Sequence, residues 1–231
     1  MAKLTYFKGR GRAETTRWML AINQISFENI AIANKEELAA LRGSGKLPFD
    51  QMPLLEIDGL CLSQSSAMVR YLARKGGFYG DNDSDAWQCD LVAGAVADFA
   101  ETALQAAFQP TAAVAIAGLE VRFGKFGPRF EARLAANGAA VSAGSRLSFA
   151  DVVLAEALSN YLEWCPDILD ATPLLKDLYG RVTGQPGVAR YLASDLRYAK
   201  PDDQYILDVA LVLGRALPPH MPDPDRFVTP A

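Results

Sequence analysis

The chain of 231 residues has room for one large domain or two small ones, and half of its residues are hydrophobic. Its 23 Lys and Arg against 27 Asp and Glu give a net charge of −4. That balance argues against nucleic-acid binding, since such domains carry a basic patch that contacts phosphates. A single histidine, His220, excludes a zinc site built from several histidines, and we expect no metal centre.

Cysteine usage and charge distribution indicate the cellular environment. Cys61, Cys89 and Cys165 stand far apart and form no CxxC pair, so we expect buried thiols in a reducing, cytoplasmic compartment. The N-terminus carries charges before any apolar run, unlike a signal peptide. The longest uncharged stretch, residues 102–119, contains Pro110, so we expect no membrane partner.

Strand and helix patterns alternate in the first part of the chain. The order β-α-β-α-β-β-α predicts a small α/β domain over residues 1–77. Asp58-Gly59 is a favoured two-residue hairpin turn, and Ser65 or Ser66 is expected to cap the last helix. The predicted elements are a strand from Leu4, a helix over 13–23, a strand over 27–32, a helix over 35–42, strands over 53–57 and 60–62, and a helix from Ser65 to Lys75.

Strand signals end at a turn-rich linker over residues 77–84. Helical patterns then predict an all-helical domain over 85–217, followed by a Pro-rich tail over 218–231. Ser148 with Asp151 three residues later is a capping-box signal for one of these helices. The predicted helices are 84–108, 112–136, 149–163, 173–183, 186–194 and, more weakly, 204–216.

Three motifs, in order and at the expected separations, resemble the cytosolic glutathione transferases of the alpha and sigma classes. The resemblance covers about residues 1–195. It implies an α/β thioredoxin-like N-terminal domain joined to an all-α C-terminal domain, in a homodimer that binds glutathione. The motifs are Leu4–Glu14 with Arg17-Trp18, Phe49–Gly59 with Leu62–Ser65, and Leu147–Val152.

The resemblance implies that Tyr6 and Arg12 are catalytic. A glutathione enzyme must convert a thiol into the reactive thiolate near neutral pH. A hydrogen bond to the anion supplies roughly 1.5–3 kcal/mol, and a tenfold change in acidity requires about 1.4 kcal/mol. One tyrosine hydroxyl is therefore expected to lower the pKa of the thiol by about one to two units.

The resemblance also implies which residues hold glutathione. Met52 precedes Pro53, which is expected to be cis and to turn the Met52 backbone toward the tripeptide. Gln64 and Ser65 lie at a helix N-terminus, where free amide groups favour a carboxylate. The expected set is Tyr6, Arg12, Arg42, Gln51, Met52, Pro53, Gln64, Ser65 and Asp98 of the partner subunit.

The residues of the electrophile pocket are predicted from their positions in the sequence, and the dimer contact is predicted from the resemblance. Phe7, Leu104 and Phe108 are the candidates for contact with a hydrophobic substrate. Residues 196–217 extend beyond a minimal chain and are expected to form a lid helix. Phe49 lies in an irregular segment, and the resemblance implies that it enters a pocket between two helices of the partner subunit.

These features favour one function over two alternatives. The predicted enzyme conjugates the glutathione thiolate to hydrophobic electrophiles in detoxification, with glutathione as co-substrate and no cofactor. One alternative is a glutathione-dependent isomerase or peroxidase of the sigma or alpha type. The other is a non-catalytic carrier of glutathione or apolar ligands. A complete set of thiol-activating residues favours catalysis over the carrier.

Overall fold

The computed structural model describes residues 1–221, and its first part is built on one mixed sheet. The strand order is β2-β1-β3-β4, with β1 parallel to β2 and antiparallel to β3. The hairpin of β3 and β4 turns at Asp58-Gly59, where both residues have positive φ as this turn requires. The strands are β1 Ala2–Tyr6, β2 Phe27–Ala31, β3 Leu54–Ile57 and β4 Leu60–Ser63.

Three α-helices accompany the sheet, and the first of them connects the two parts of the molecule. Trp18, Met19 and Leu20 of α1 are fully buried. The buried carboxylate of Glu14 accepts hydrogen bonds from Arg17 at 3.1 Å and from the Tyr191 hydroxyl at 2.8 Å, in the later helical part. The helices are α1 Glu14–Ile22, α2 Lys35–Gly43 and α3 Ser65–Gly76, with a short 3₁₀ turn Gly11–Ala13 before α1.

The rest of the described chain is helical, and one helix forms its centre. In α6, twelve of the fourteen residues are buried, and the helix packs against α1, α4 and α7. The predicted capping box is confirmed: the Asp151 carboxylate accepts from the Ser148 amide at 2.8 Å and from the Ser148 hydroxyl at 3.0 Å. The helices are α4 Asp83–Leu104, α5 Ala112–Ala136, α6 Phe149–Leu162, α7 Pro173–Thr183, α8 Pro186–Leu192 and α9 Asp203–Leu213.

Two local expectations are wrong. Ser65 is already helical, and the N-cap of α3 is Gln64, with a φ of 65° and no side-chain cap bond. Cys61 is exposed because β4 is an edge strand whose residues are exposed or only partly buried. Cys89 is buried and Cys165 is partly buried. Of the predicted tail over 218–231, residues 222–231 lie outside the described part of the chain.

One helical run among the described residues, Asp83–Phe108, is long and apolar enough to cross a membrane. Helices of globular domains also reach this length and apolar composition. Here α4 packs against α5 and α6, and Phe99 within it stacks on Tyr161 at 4.2 Å. Only 22% of its apolar window is buried, so we interpret the run as a helix of the helical domain that packs through one face.

Candidate active site

The Tyr6 hydroxyl lies at the end of β1, where the chain turns into α1. The side chain is buried, and its oxygen accepts the backbone N–H of Arg12 at 3.2 Å. Gly11, with a φ of 40°, makes this approach possible: a Cβ there would lie 2.7 Å from the Tyr6 oxygen. Burial raises the pKa of Tyr6, while the Arg12 amide and charge act in the opposite direction. The hydroxyl is thus protonated at neutral pH and able to donate a hydrogen bond.

The Arg12 guanidinium is oriented by an acid of the helical part. Its Nη2 lies 2.9 Å from the Glu101 carboxylate on α4, and both side chains are about half exposed. An exposed pair of this kind contributes little to stability. It does hold the positive charge at the opening between the two parts of the chain. Sequence reasoning missed Glu101, although it lies one helical turn after Asp98.

Several residues predicted to hold the tripeptide lie in the loop before β3, at the start of α3 and at the end of α2. The Met52–Pro53 peptide is cis, as predicted. Gln64 Nε2 donates to Gln51 Oε1 at 2.9 Å, which joins the loop before β3 to the start of α3. Arg42 Nε donates to the Asp50 carbonyl at 3.1 Å.

Ser65 and Arg12 belong to one opening. Both line a cavity of about 140 Å³ between the sheet domain and the helical part. Ser65 is the first residue of α3, so its amide N–H has no partner within that helix. At Ser65 and Arg12 the opening therefore offers a free amide donor and a guanidinium, a combination that suits an anionic group.

Asp98 lies apart from these residues within its own chain. It is exposed on α4, and its backbone carbonyl accepts hydrogen bonds from Arg122. Its neighbours Ala97 and Ala100 line the 140 Å³ cavity. The predicted role of Asp98 in a partner's site remains a prediction.

The three candidates for the electrophile pocket have different surroundings. Leu104 lines the 140 Å³ cavity and also a second space of about 30 Å³. Phe7 is buried against the edge of the Tyr6 ring, at a centroid distance of 4.9 Å. Phe108 packs edge-on against Tyr205, at 6.4 Å.

Tyr205 on α9 reaches the Tyr6 hydroxyl, a contact that sequence reasoning missed. A Cβ on Gly11 would lie 2.7 Å from the Tyr6 oxygen and 3.0 Å from the Tyr205 oxygen, so the two hydroxyls are neighbours. The Tyr205 ring lies on Gly9, where a Cβ would be 2.2 Å from a ring carbon. The sequence pattern did place Tyr205 with Ile206, Val209 and Leu213 on a predicted lid helix, but it did not identify Tyr6 as the partner of Tyr205.

The described residues include no cluster of three or more histidine, cysteine or acidic side chains that is able to hold a metal ion. The groups around Tyr6 are hydroxyls, a guanidinium and backbone amides. Groups of this kind are able to bind and stabilise an anion.

Comparisons with known proteins identify relatives over most of the chain. Family models described as the N-terminal and C-terminal domains of glutathione S-transferase match residues 2–74 and 97–195. Glutathione S-transferase alpha-5 of Rattus norvegicus is 34% identical over 210 residues, covering 90% of this chain and 95% of that protein. Glutathione S-transferase A1 of Homo sapiens is 34% identical over 217 residues, with 92% and 97% covered.

A solved structure is similar throughout. Monomeric Na-GST-3, a glutathione S-transferase from the hookworm Necator americanus, aligns with a TM-score of 0.74 and 28% identity. The alignment covers 84% of this chain and 97% of that one.

Proposed function

Because this chain belongs to the glutathione S-transferase family and is an enzyme of glutathione conjugation, we propose that Tyr6 and Arg12 activate the thiol that it transfers to hydrophobic electrophiles. The observation that carries this mechanism is the buried, protonated Tyr6 hydroxyl beside the Arg12 amide. Because that oxygen already accepts one hydrogen bond, its own proton is free for the sulfur of glutathione.

The energetics support one tyrosine as the main activating group. A hydrogen bond from Tyr6 to the thiolate contributes roughly 1.5–3 kcal/mol, which makes the thiol about ten- to a hundredfold more acidic. The Arg12 charge adds to this effect at a distance that Glu101 fixes. Because Tyr6 is buried, little water competes for the sulfur.

The tripeptide is proposed to lie along the loops of the sheet domain. The cis peptide before Pro53 presents the Met52 backbone as a strand edge for the cysteinyl residue. Gln64 and the amide of Ser65 bind the γ-glutamyl end, and Gln51, which accepts a hydrogen bond from Gln64, contacts the backbone of the tripeptide. Arg42, held by the Asp50 carbonyl, offers its remaining N–H groups to the glycyl carboxylate.

The electrophile is proposed to enter beside Leu104, Phe108 and Phe7, beneath α9. The space between Gly11, Leu104 and Tyr205 is only about 30 Å³, so a substrate must displace Tyr205 or reach the sulfur from the side. An apolar pocket of this kind favours hydrophobic electrophiles, and we propose a role in detoxification in the cytoplasm.

A homodimer is proposed from exposed apolar side chains. Phe49, in the loop before β3, is 66% exposed. On α4, Trp87 is 63% exposed and Leu91 is 50% exposed. Exposed apolar side chains of this size are typical of protein interfaces. In a two-fold dimer, α4 would present the exposed Asp98 to the partner's glutathione site.

The experiment is turnover of a chloronitroarene and of an organic peroxide, each with and without glutathione. Conjugation of the arene that depends on glutathione supports the proposed function. Faster turnover of the peroxide supports the peroxidase alternative, and glutathione binding without any turnover supports the carrier.

A further inference from the structure

Glu156 is a buried acid that the thiol chemistry does not use. It lies in the middle of α6 and is 6% exposed. Its carboxylate accepts the Thr15 hydroxyl from α1 at 3.1 Å and the Asn160 amide from the next turn of α6 at 2.8 Å. An acid buried at a domain boundary requires compensation if it is to carry a charge.

Glu156 forms no salt bridge among residues 1–221, although the charge of Arg10 lowers its pKa to a small extent. Four arginines of the surrounding elements are each paired with another acid. These pairs are Arg10 with Glu163 at 2.6 Å, Arg12 with Glu101 at 2.9 Å, Arg17 with Glu14 at 3.1 Å and Arg70 with Asp90 at 2.8 Å. Burial, and after it the charge of Glu14, raises the pKa of Glu156 to about 7. The acid is thus poised to ionise near neutral pH.

Three oxygen acceptors meet at the wall of one cavity. Glu156, Asn160 and Thr15 all line the cavity of about 140 Å³ between α1, α3, α4 and α6. Because the Asn160 amide nitrogen is turned toward Glu156, its amide oxygen is left without a donor among the described residues. The Thr15 oxygen donates its proton to Glu156 and keeps its lone pairs.

The rest of the lining is mainly apolar. It consists of small and branched side chains of α3, α4 and α6 with one aromatic ring, together with Ser65, Ser66 and the acid-paired Arg12 and Arg70. A cavity of about 150 Å³ with apolar walls holds a benzene-sized molecule. The apolar lining residues are Val69, Ala93, Val96, Ala97, Ala100, Leu104, Phe149 and Val153.

We propose that this cavity binds a small primary ammonium ion with an apolar, benzene-sized body. A primary ammonium has three N–H donors, which match the oxygens of Glu156, Asn160 and Thr15. The ligand supplies the positive charge that Glu156 lacks, and its body occupies the apolar wall. A neutral alcohol of the same shape gains the apolar contact but not the ion pair.

The experiment compares benzylamine, which is protonated at neutral pH, with benzyl alcohol by calorimetry on the full chain. Arg12 and Ser65 line both this cavity and the proposed glutathione site, so glutathione is left out. At about pH 8 we expect benzylamine to bind at least about tenfold more tightly, as for a charged hydrogen bond. The preference should decrease toward about pH 6, because the Glu156 carboxyl becomes protonated. Equal affinities at pH 8 would overturn the proposal.

Two variants locate the binding. Glu156→Gln should abolish the preference for the amine and leave the affinity for benzyl alcohol within about threefold, since shape is kept and only charge is lost. Glu120→Gln, an exposed acid on α5, is the matched control and should retain the preference. If circular dichroism shows that Glu156→Gln does not fold, Asn160→Ala serves instead. That variant should lower the affinity for benzylamine and not the affinity for benzyl alcohol. An unchanged preference in either folded variant would contradict the assignment.

Discussion

The hydroxyl of Tyr205 on α9 lies beside the hydroxyl of Tyr6 at the end of β1. The Tyr205 ring lies on Gly9, so any larger residue there would push α9 away from the site. Burial raises the pKa of Tyr205, which is therefore a donor at neutral pH, and its hydroxyl counteracts the burial that raises the pKa of Tyr6. The last described helix thus contacts the residue that is proposed to activate the thiol.

Tyr205→Phe is expected to raise the pKa of Tyr6 in the free enzyme. The ring and its contact with Gly9 are kept, and only the hydroxyl beside Tyr6 is lost. A hydrogen bond to a charged oxygen is worth roughly 1.5–3 kcal/mol, so the increase should be about one to two pH units. Ultraviolet titration of tyrosinate measures it, with Tyr179→Phe on α7 as control. If the tyrosinate titration is the same in both variants, the Tyr205 hydroxyl has no effect on the pKa of Tyr6.

Tyr6→Phe is expected to lower the conjugation rate at pH 7 by about tenfold or more, with little change in glutathione affinity. In the proposed mechanism the hydroxyl stabilises the thiolate and does not contact the ends of the tripeptide, so its loss should appear in the pKa of the thiol. A pH titration of thiolate absorbance in the bound state measures that pKa. An unchanged value would remove Tyr6 from the mechanism.

Asp98→Asn is expected to weaken glutathione binding by about ten- to a hundredfold while the dimer stays intact. The exposed carboxylate would otherwise contact the ammonium group of glutathione in the partner's site. Calorimetry measures the affinity, and Glu120→Gln is a control of equal charge change on α5. Affinity equal to that of the unmodified chain would leave Asp98 without a binding role.

Phe49→Ala is expected to dissociate the dimer at low micromolar concentration. Truncating a packed aromatic ring costs about 3–5 kcal/mol, and two-fold symmetry repeats the contact. Analytical ultracentrifugation measures the mass, with Leu211→Ala, also an exposed apolar residue, as control. If the variant sediments as the unmodified dimer does, or the unmodified chain is a monomer, Phe49 has no such role.

Glu156 is expected to make the folded state less stable as pH rises. The folded chain keeps this proton up to about pH 7, whereas an unfolded chain loses it near 4.5. Between these values the folded state binds more protons, so the free energy of unfolding falls with pH. The full loss is about 3 kcal/mol, since one pH unit corresponds to about 1.4 kcal/mol.

Urea unfolding at about pH 5.5 and about pH 8 tests this dependence. Glu156→Gln stays neutral, so its free energy of unfolding should change less between the two conditions than that of the unmodified chain. Glu163→Gln is a poor control because it breaks the ion pair with Arg10, so Glu120→Gln is preferred. Parallel pH dependence in Glu156→Gln and the unmodified chain would show that the acid is already ionised at low pH.

The sequence by itself determined the order of elements and most of their bounds, because these depend on local patterns. Residues 112–136 and 173–183 are helices as predicted, and the Ser148 capping box and the Asp58-Gly59 turn are present. Each is set by side chains within a few positions of one another. The cis peptide before Pro53 was predicted from the resemblance, which rests on contiguous motifs.

Only the tertiary structure decided which distant side chains meet. Glu101 orients Arg12, Tyr205 reaches Tyr6, and Glu156 forms no salt bridge within residues 1–221 while neighbouring arginines pair with other acids. The exposure of Cys61 likewise follows from the position of β4 at the edge of the sheet. The physical reason is that burial and charge pairing depend on neighbours from separate elements, and a linear pattern specifies the face of a helix but not what packs against it.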